Sequence, residues 1–259
     1  MAIRLSTGVR NGITGTLGLT GMFNKGYIEV YTGTQPTSAD ALKTGTLLGV
    51  ITASSGALTK ETRAAGSITI TAAAGGSINT ITVGGLNIIP DGAVTATAGD
   101  TAATAVSLAE AINRNGMFEA SAATSVVTIK GRPGTGVTTA AVSGTLTTVT
   151  ATYVNMGSVT AGAAPVNGLL FTSPASGVLA KLSTQVWSFA GVAAGTAGWF
   201  RLYSSDTTDS GALLSGAPWF PRIDGSIATS GADLNLSNIA VAVAAPSTID
   251  TFSLTMPSA

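Results

Sequence analysis

The sequence predicts a mainly β protein: a β-sandwich of jelly-roll type built from the N- and C-terminal flanks, with a small α+β module inserted between them. Three observations predict it. Thr, Val and Ile recur at period two in short segments, a pattern that suits pleated strands. Thirty-three glycines punctuate those segments and supply turns. Only one stretch carries a clear helical period, and it lies in a middle region patterned unlike either flank. The expected division is an N-terminal arm and first sandwich part over 1–65, the module over 66–156, and the rest of the sandwich over 157–259. The Ala/Gly/Ser-rich stretches 54–66 and 156–167 read as the seams, since insertions succeed at exposed loop tips. A separate N-terminal arm followed by two consecutive domains is the competing arrangement.

Taken in order, "GVRNGITGTLGLTG" reads as a Gly-spaced arm, with Met1–Leu19 expected to lie across a neighbouring subunit. "YIEVYTG" is the first clear strand, with Tyr27, Glu29 and Tyr31 on one face and Ile28 and Val30 on the other. Pro36 ends it, and Ser38 and Asp40 suit a turn or short cap. Leu47, Leu48, Val50 and Ile51 resume an apolar strand. In the module, "SITITAAAG" and "INTITVGGLNIIP" read as two strands. "GDTAATAVSLAEAINRNGMF" reads as a helix capped by Asp100. Its Ala105, Leu108, Ala109 and Ile112 share a face, and Asn115-Gly116 makes a left-handed stop. Val127 and Ile129 alternate in a following strand. Farther on, "VWSFAGV" and "GWFRLYS" suggest a hairpin across "AAGTAG", with Trp187 and Phe189 on one face and Trp199, Arg201 and Tyr203 on another. "STIDTFSLTMPSA" gives one last strand.

Composition narrows function. Charged residues make up 9% of the chain, far below the roughly 25% typical of soluble domains. Lys plus Arg equals Asp plus Glu at 12 each, so no net field draws nucleic acid or an anionic membrane. The chain has no Cys and no His, which removes disulfides, thiolate metal sites and Ser-His-Asp, Cys-His or HExxH chemistry. The start lacks the continuous apolar stretch of a secretory signal, so the mature chain is expected to begin near Met1. "IAVAVAAP" is too short to span a bilayer. The sequence thus points to neither a nucleic-acid nor a membrane partner, and to no cofactor. A near-neutral surface suits a chain that works as a homo-oligomer.

Four groups of residues carry side chains that could form a site. Arg222, Asp224 and Asp233 gather three charges in a charge-poor chain. Two carboxylates so placed would suit acid–base work or a hard cation. The plainer reading makes Asp224-Gly225 a tight turn, pairs Arg222 with a carboxylate and pins a loop or subunit contact. Asp206, Asp209 and Ser210 in "SSDTTDSG" lack the spacing and final Glu of an EF-hand, and read as a turn. "GRPGTGV" lacks the Lys-Ser/Thr of a phosphate loop, and Lys130 and Arg132 read as a solvated tip. Trp187, Trp199, Trp219 and Phe220 would suit sugar stacking, although aromatics along strands are more often core or interface anchors. No catalytic, cofactor-binding or metal residue is assigned.

The flanks, through "GYIEVYTGTQPTSADALKTGTLLGVIT", "GTAGWFRLYSSD", "PRIDGSIATSGADLNLSNI" and "TIDTFSLTMPS", resemble virion structural proteins of tailed bacteriophages, of the head-associated decoration or cement type. The middle, "GDTAATAVSLAEAINRNGMFEASAATSVVTI", is similar to a module inserted into phage virion and adhesin proteins. The resemblance covers a little over half the chain and carries no catalytic signature. It implies a non-enzymatic shell protein on the virion, bound to the major capsid protein or other virion subunits. The alternative is a tail or fibre component that binds a host-surface glycan.

Overall fold

The computed structural model describes residues 3–14, 18–115, 117–134, 139–206 and 221–255. The protein is mainly β. The front carries β1 (Arg4–Leu5), α1 (Thr7–Thr14), α2 (Leu19–Phe23), β2 (Tyr27–Thr32) and β3 (Leu47–Ala53). The middle carries β4 (Ala65–Val83), β5 (Leu86–Asn87), β6 (Val94–Thr95), α3 (Thr101–Asn113), β7 (Phe118–Ala123), β8 (Val126–Gly131) and β9 (Val142–Val154). The remainder carries β10 (Val178–Ala180), β11 (Trp187–Ala190), β12 (Gly195–Tyr203), β13 (Arg222–Ala228), β14 (Leu234–Asn235), β15 (Ala240–Val241), β16 (Pro246–Ile249) and β17 (Ser253–Thr255). These form two compact units, one of Met1–Lys60 with Pro165–Ala259, the other of Glu61–Ala164. Against seams expected at 65/66 and 156/157, the bridges Thr62–Ala163 and Ala65–Thr160 carry the second unit outward on both sides.

The first unit is a sheet in the order β1-β13-β12-β2-β3-β11-β16, antiparallel along that path, with β14 beside β13, β15 beside β12, and β10–β17 as a separate ribbon. Alternation along β2 and β12 sends Ile28, Val30, Phe200 and Leu202 into an apolar core. Val9 of α1, Met22 and Phe23 of α2, and Leu179 and Leu254 of the ribbon also line that core. Phe171 meets Trp187, and Phe200 meets Phe252, edge to face within it, and a tilted Trp187–Phe252 contact joins the two pairs. Within the chain the N-terminal arm packs on this unit: Leu5 pairs with Ile223, and the Ser6 backbone N–H donates to the Arg222 carbonyl at 3.0 Å.

The strand pairing differs from the sequence expectation at two places. β11 and β12 do not form a hairpin, because β2 and β3 lie between them and the short connector passes the end of β3, where Val192 N–H donates to the Leu48 carbonyl at 2.8 Å. The final strand is two strands, since β16 pairs with β11 while β17 pairs with β10. The break at Asp250–Phe252 lets Ile249, Phe252 and Leu254 all reach the same core.

In the second unit the two strands expected at 67–75 and 78–90 are largely one, the 19-residue β4. It runs beside β9, and β4 carries extra residues at three points along the ladder. The sharpest bend is at Gly75–Gly76, both in the left-handed region (φ +87° and +85°). The ribbon curls so far that its ends meet: Met156 N–H donates to the Ala140 carbonyl at 2.9 Å, and Val142 N–H donates to the Asn155 side chain at 3.0 Å. Inside lie Ile68, Ile70, Ile78 and Ile81, together with the face of α3 read from its period: Ala105, Leu108, Ala109 and Ile112. Asp100 caps α3 by accepting from Ala103 N–H at 2.8 Å. Asn115 ends it without a left-handed turn of its own, and Gly116 lies outside the described residues.

The other end of α3 corrects the sequence reading. Arg132 is buried, and its Nη2 donates to the Asn113 carbonyl at 2.9 Å at the helix C-terminus, where a cation suits the helix dipole. Burial, with help from Arg63, lowers the Arg132 pKa to about 10. Lys130, on β8, is only half-buried. Thr135–Val137 lie outside the described residues. The Asn113 side-chain amide also blunts the free edge of β7, donating to the Ala120 carbonyl at 2.9 Å and accepting its N–H at 2.7 Å.

A methyl group at Gly76 would sit 1.8 Å from Thr148 Oγ1 and 2.3 Å from the Thr147 carbonyl oxygen, whereas Gly85, also at positive φ (+84°), faces open space. Gly76→Ala should therefore lower the stability of the unit by about 2 kcal/mol or more, and Gly85→Ala by clearly less, since it adds strain without collision. Urea midpoints of the two variants check this; equal losses would mean that backbone strain alone decides.

Candidate functional site: a buried charge row

The face of the first sheet opposite its apolar core is built by the same alternation. Register sets its side chains in cross-strand rows. Glu29, Arg201, Asp224 and Arg4 follow one another across β2, β12, β13 and β1, a sequence of alternating charge. Tyr27, Tyr203 and Arg222 form the row on one side, and Tyr31, Trp199 and Ser226 the row on the other. Most of this polar face is as inaccessible as the apolar one: Arg201 and Asp224 are 0% exposed, and the four aromatic residues are buried.

Arg201 meets Asp224 as a planar fork, with Nε donating to Oδ1 at 2.6 Å and Nη2 to Oδ2 at 2.8 Å. Its guanidinium carbon lies 5.4 Å from the Trp199 ring centroid. Trp199 stacks on Tyr31 at 4.7 Å, and Tyr203 stacks on Tyr27 at 4.8 Å. The Tyr31 hydroxyl donates to Glu29 Oε2, whose carboxylate also meets Lys43 Nζ at 3.5 Å. Burial, reinforced by Glu29, pushes the Tyr31 pKa well above its usual value. Burial also raises the Asp224 carboxyl, opposed by the two bonds from Arg201 and by the charges of Arg222 and Arg4.

The segment 33–46 crosses this face and is fastened to it. Asp40 accepts from Thr7 N–H at 2.9 Å and from Thr7 Oγ1 at 2.7 Å, and Arg222 Nη2 reaches it at 3.4 Å. Arg4 donates to the Pro36 carbonyl.

Of the charges singled out in the sequence, Arg222 does pair with a carboxylate, one 182 residues distant, and the contact holds a loop. Asp224-Gly225 is no turn. Both lie inside β13, because pairing with β12 and β1 on either side outweighs the local turn preference of an Asp-Gly pair. Asp233 does not join Asp224. Its Oδ2 accepts from Ser226 N–H and Oγ, both at 2.8 Å, so the two carboxylates are held by separate partners. Asp206 accepts from Ser204 Oγ at 3.0 Å, while Asp209 and Ser210 lie outside the described residues. Trp187 and Trp199 are fully buried and present no face to a sugar; Trp219 and Phe220 lie outside the described residues. The partners missed from sequence are Arg201, Glu29 and Asp40. The Tyr-x-Glu-x-Tyr and Trp-x-Arg-x-Tyr alternations held the signal, since each places a charge between two rings on one face.

Chemically, this arrangement holds strands and a loop together. Among the described residues, no three acidic side chains converge to hold a metal ion. No family model, curated protein or solved structure matches this chain.

A turn carboxylate would be worth on the order of 1 kcal/mol. The buried fork raises that figure: Asp224→Asn should cost about 3–5 kcal/mol, because it strands the Arg201 charge without access to water. The double replacement Arg201→Met with Asp224→Leu should cost much less than the single one. Denaturant midpoints of the single and double variants check this, and a single loss near 1 kcal/mol would return Asp224 to a minor fastening.

Proposed function

We propose that this chain is a non-enzymatic structural protein of a tailed-bacteriophage virion, of the capsid decoration or cement type. In this reading it is a jelly-roll-like β-sandwich with an inserted α+β module, acting as an oligomer on the major capsid protein or other virion subunits at the head surface. It takes no cofactor and binds neither nucleic acid nor membrane. The observation that carries the reading is the use made of the charge cluster. Arg222, Asp224 and Asp233 are each bonded to another part of the same unit, and Asp224 is fully buried in a row flanked by two stacked ring pairs. Rigidity under load is what such an arrangement supplies.

The surface suits the same role. The turn after β11 meets the run after β15 at the Gly191–Val243 bridge, and there Val192 and Val243 are 61% and 63% exposed. No charged residue occurs between Lys181 and Arg201 or between Asp233 and Asp250. Attachment through such surface rests on apolar burial and strand-edge hydrogen bonding, and the function is mechanical: to brace a shell against internal pressure.

Attachment should therefore survive a rise from low to molar NaCl and weaken in urea or guanidinium, because salt screens charge pairs beyond about 10 Å at 0.1 M while leaving hydrophobic burial intact. Sedimentation of purified particles across both series reads retention, and quantitative protein analysis of the same particles reads copy number. Release at moderate NaCl would sink the apolar attachment. Absence of the chain from purified particles would sink the virion assignment.

A further inference from the structure

β2 and β3 are adjacent antiparallel strands, yet fourteen residues, 33–46, join Thr32 to Leu47. A hairpin needs about 2–5 residues, and a longer excursion without secondary structure is uncommon unless it has a use. The neck of this loop is closed independently of its body: Thr32 N–H donates to the Thr46 carbonyl at 3.0 Å, and Thr46 N–H donates to Thr32 Oγ1 at 2.9 Å. Just inside the neck stand Gly33 and Gly45, both at φ +80°, a hinge conformation that side chains resist. The body can swing on this pair without parting β2 from β3.

The body is also held by an unusual kind of contact. Pro36 and Ala39 of the loop are buried, but the face beneath it carries the charge row, and polar contacts fasten the loop at several points. Its fastenings are the Arg4 bond to the Pro36 carbonyl, the Lys43 contact with Glu29, and above all Asp40. That one carboxylate takes donors from the first turn of α1 and from β13. Inside the loop, Gln35 is buried with no protein partner for its amide oxygen or nitrogen. Charge-assisted bonds at one end and glycines at both ends describe a latched part.

We propose that residues 33–46 are a hinged strap, latched by Asp40, which opens as a unit on an otherwise folded sheet and uncovers the Tyr31–Trp199–Arg201 face. The inference concerns the first unit alone and holds whatever the chain attaches to.

Lys43 is the one basic residue of the strap, so tryptic cleavage at Lys43 in the full chain under native conditions reports opening. Asp40→Asn keeps the shape and removes the charge. It should speed that cleavage by about tenfold or more, the equivalent of one weakened charge-assisted bond. Asp91→Asn, which breaks an exposed ion pair with Arg114 in the other unit, should leave the rate unchanged. Cleavage should also depend only weakly on low urea, since a strap exposes little surface, whereas whole-unit unfolding carries the full denaturant slope. An Asp40→Asn rate equal to wild type would overturn the latch. A urea dependence of Lys43 cleavage equal to that of global unfolding would overturn the strap, whichever variant is used. Amide hydrogen exchange gives a second reading: strap amides should exchange faster in Asp40→Asn while β2 and β3 keep their protection, and loss of protection in all three would count against the proposal.

Discussion

A guanidinium and a carboxylate closed off from water set the terms for the first unit. Neither Arg201 nor Asp224 has solvent to fall back on, so each must face the other in one geometry. Strand register follows from that demand. A one-residue slip of β12 against β13 would carry Arg201 to the apolar face and bring Phe200 or Leu202 to the charged one. The pair thereby selects the register in which both faces are satisfied. Glu29 and Arg4 extend the alternation of charge to the neighbouring strands, and the Tyr27–Tyr203 and Tyr31–Trp199 stacks flank the row on both sides.

The second unit is held by another principle. Its core is apolar and mostly aliphatic, wrapped by a ribbon that has to bend to enclose it. The glycine pair at 75–76 makes the bend possible, and the bridge between Ala140 and Met156 closes it. Polar residues here work at ends and edges. Asp100 begins the helix, Arg132 accompanies its last carbonyls, and Asn113 stands in for a neighbouring strand along β7. Each satisfies backbone groups that would otherwise be left open where the apolar core stops.

These two solutions bear on why so few charged residues suffice. In the first unit the charges are drawn inward to fix register and to hold the segment over the sheet. In the second, Asp100 and Arg132 serve the ends of α3, and Arg63 pairs with the buried Glu119 of β7. Little charge is left to give the surface a sign, and the first unit's exposed Ala/Val turns near Gly191 and Val243 stand in a chain with no net charge to keep copies or partners apart.

How far the sequence reached depends on the range of the physics involved. Helix α3 was legible because a 3.6-residue period, an Asp cap and a buried stripe are all local. β2 and β3 were legible because alternation is local too, and so was the sharing of one face by Trp199, Arg201 and Tyr203. Sheet order was not: that β2 and β3 stand between β11 and β12 depends on which strands meet across more than a hundred residues, and nothing in "AAGTAG" encodes it. The charged cluster failed for the same reason in sharper form. Sequence grouped Arg222, Asp224 and Asp233 because they are neighbours in the chain, whereas the fold gave them Asp40, Arg201 and Ser226. Local patterning was enough for the strand-rich character, for helix α3 and for which residues would need partners. Who those partners are follows from the assembled sheet alone, because a buried charge is satisfied by whatever the register brings opposite it, and register is a property of the whole sheet.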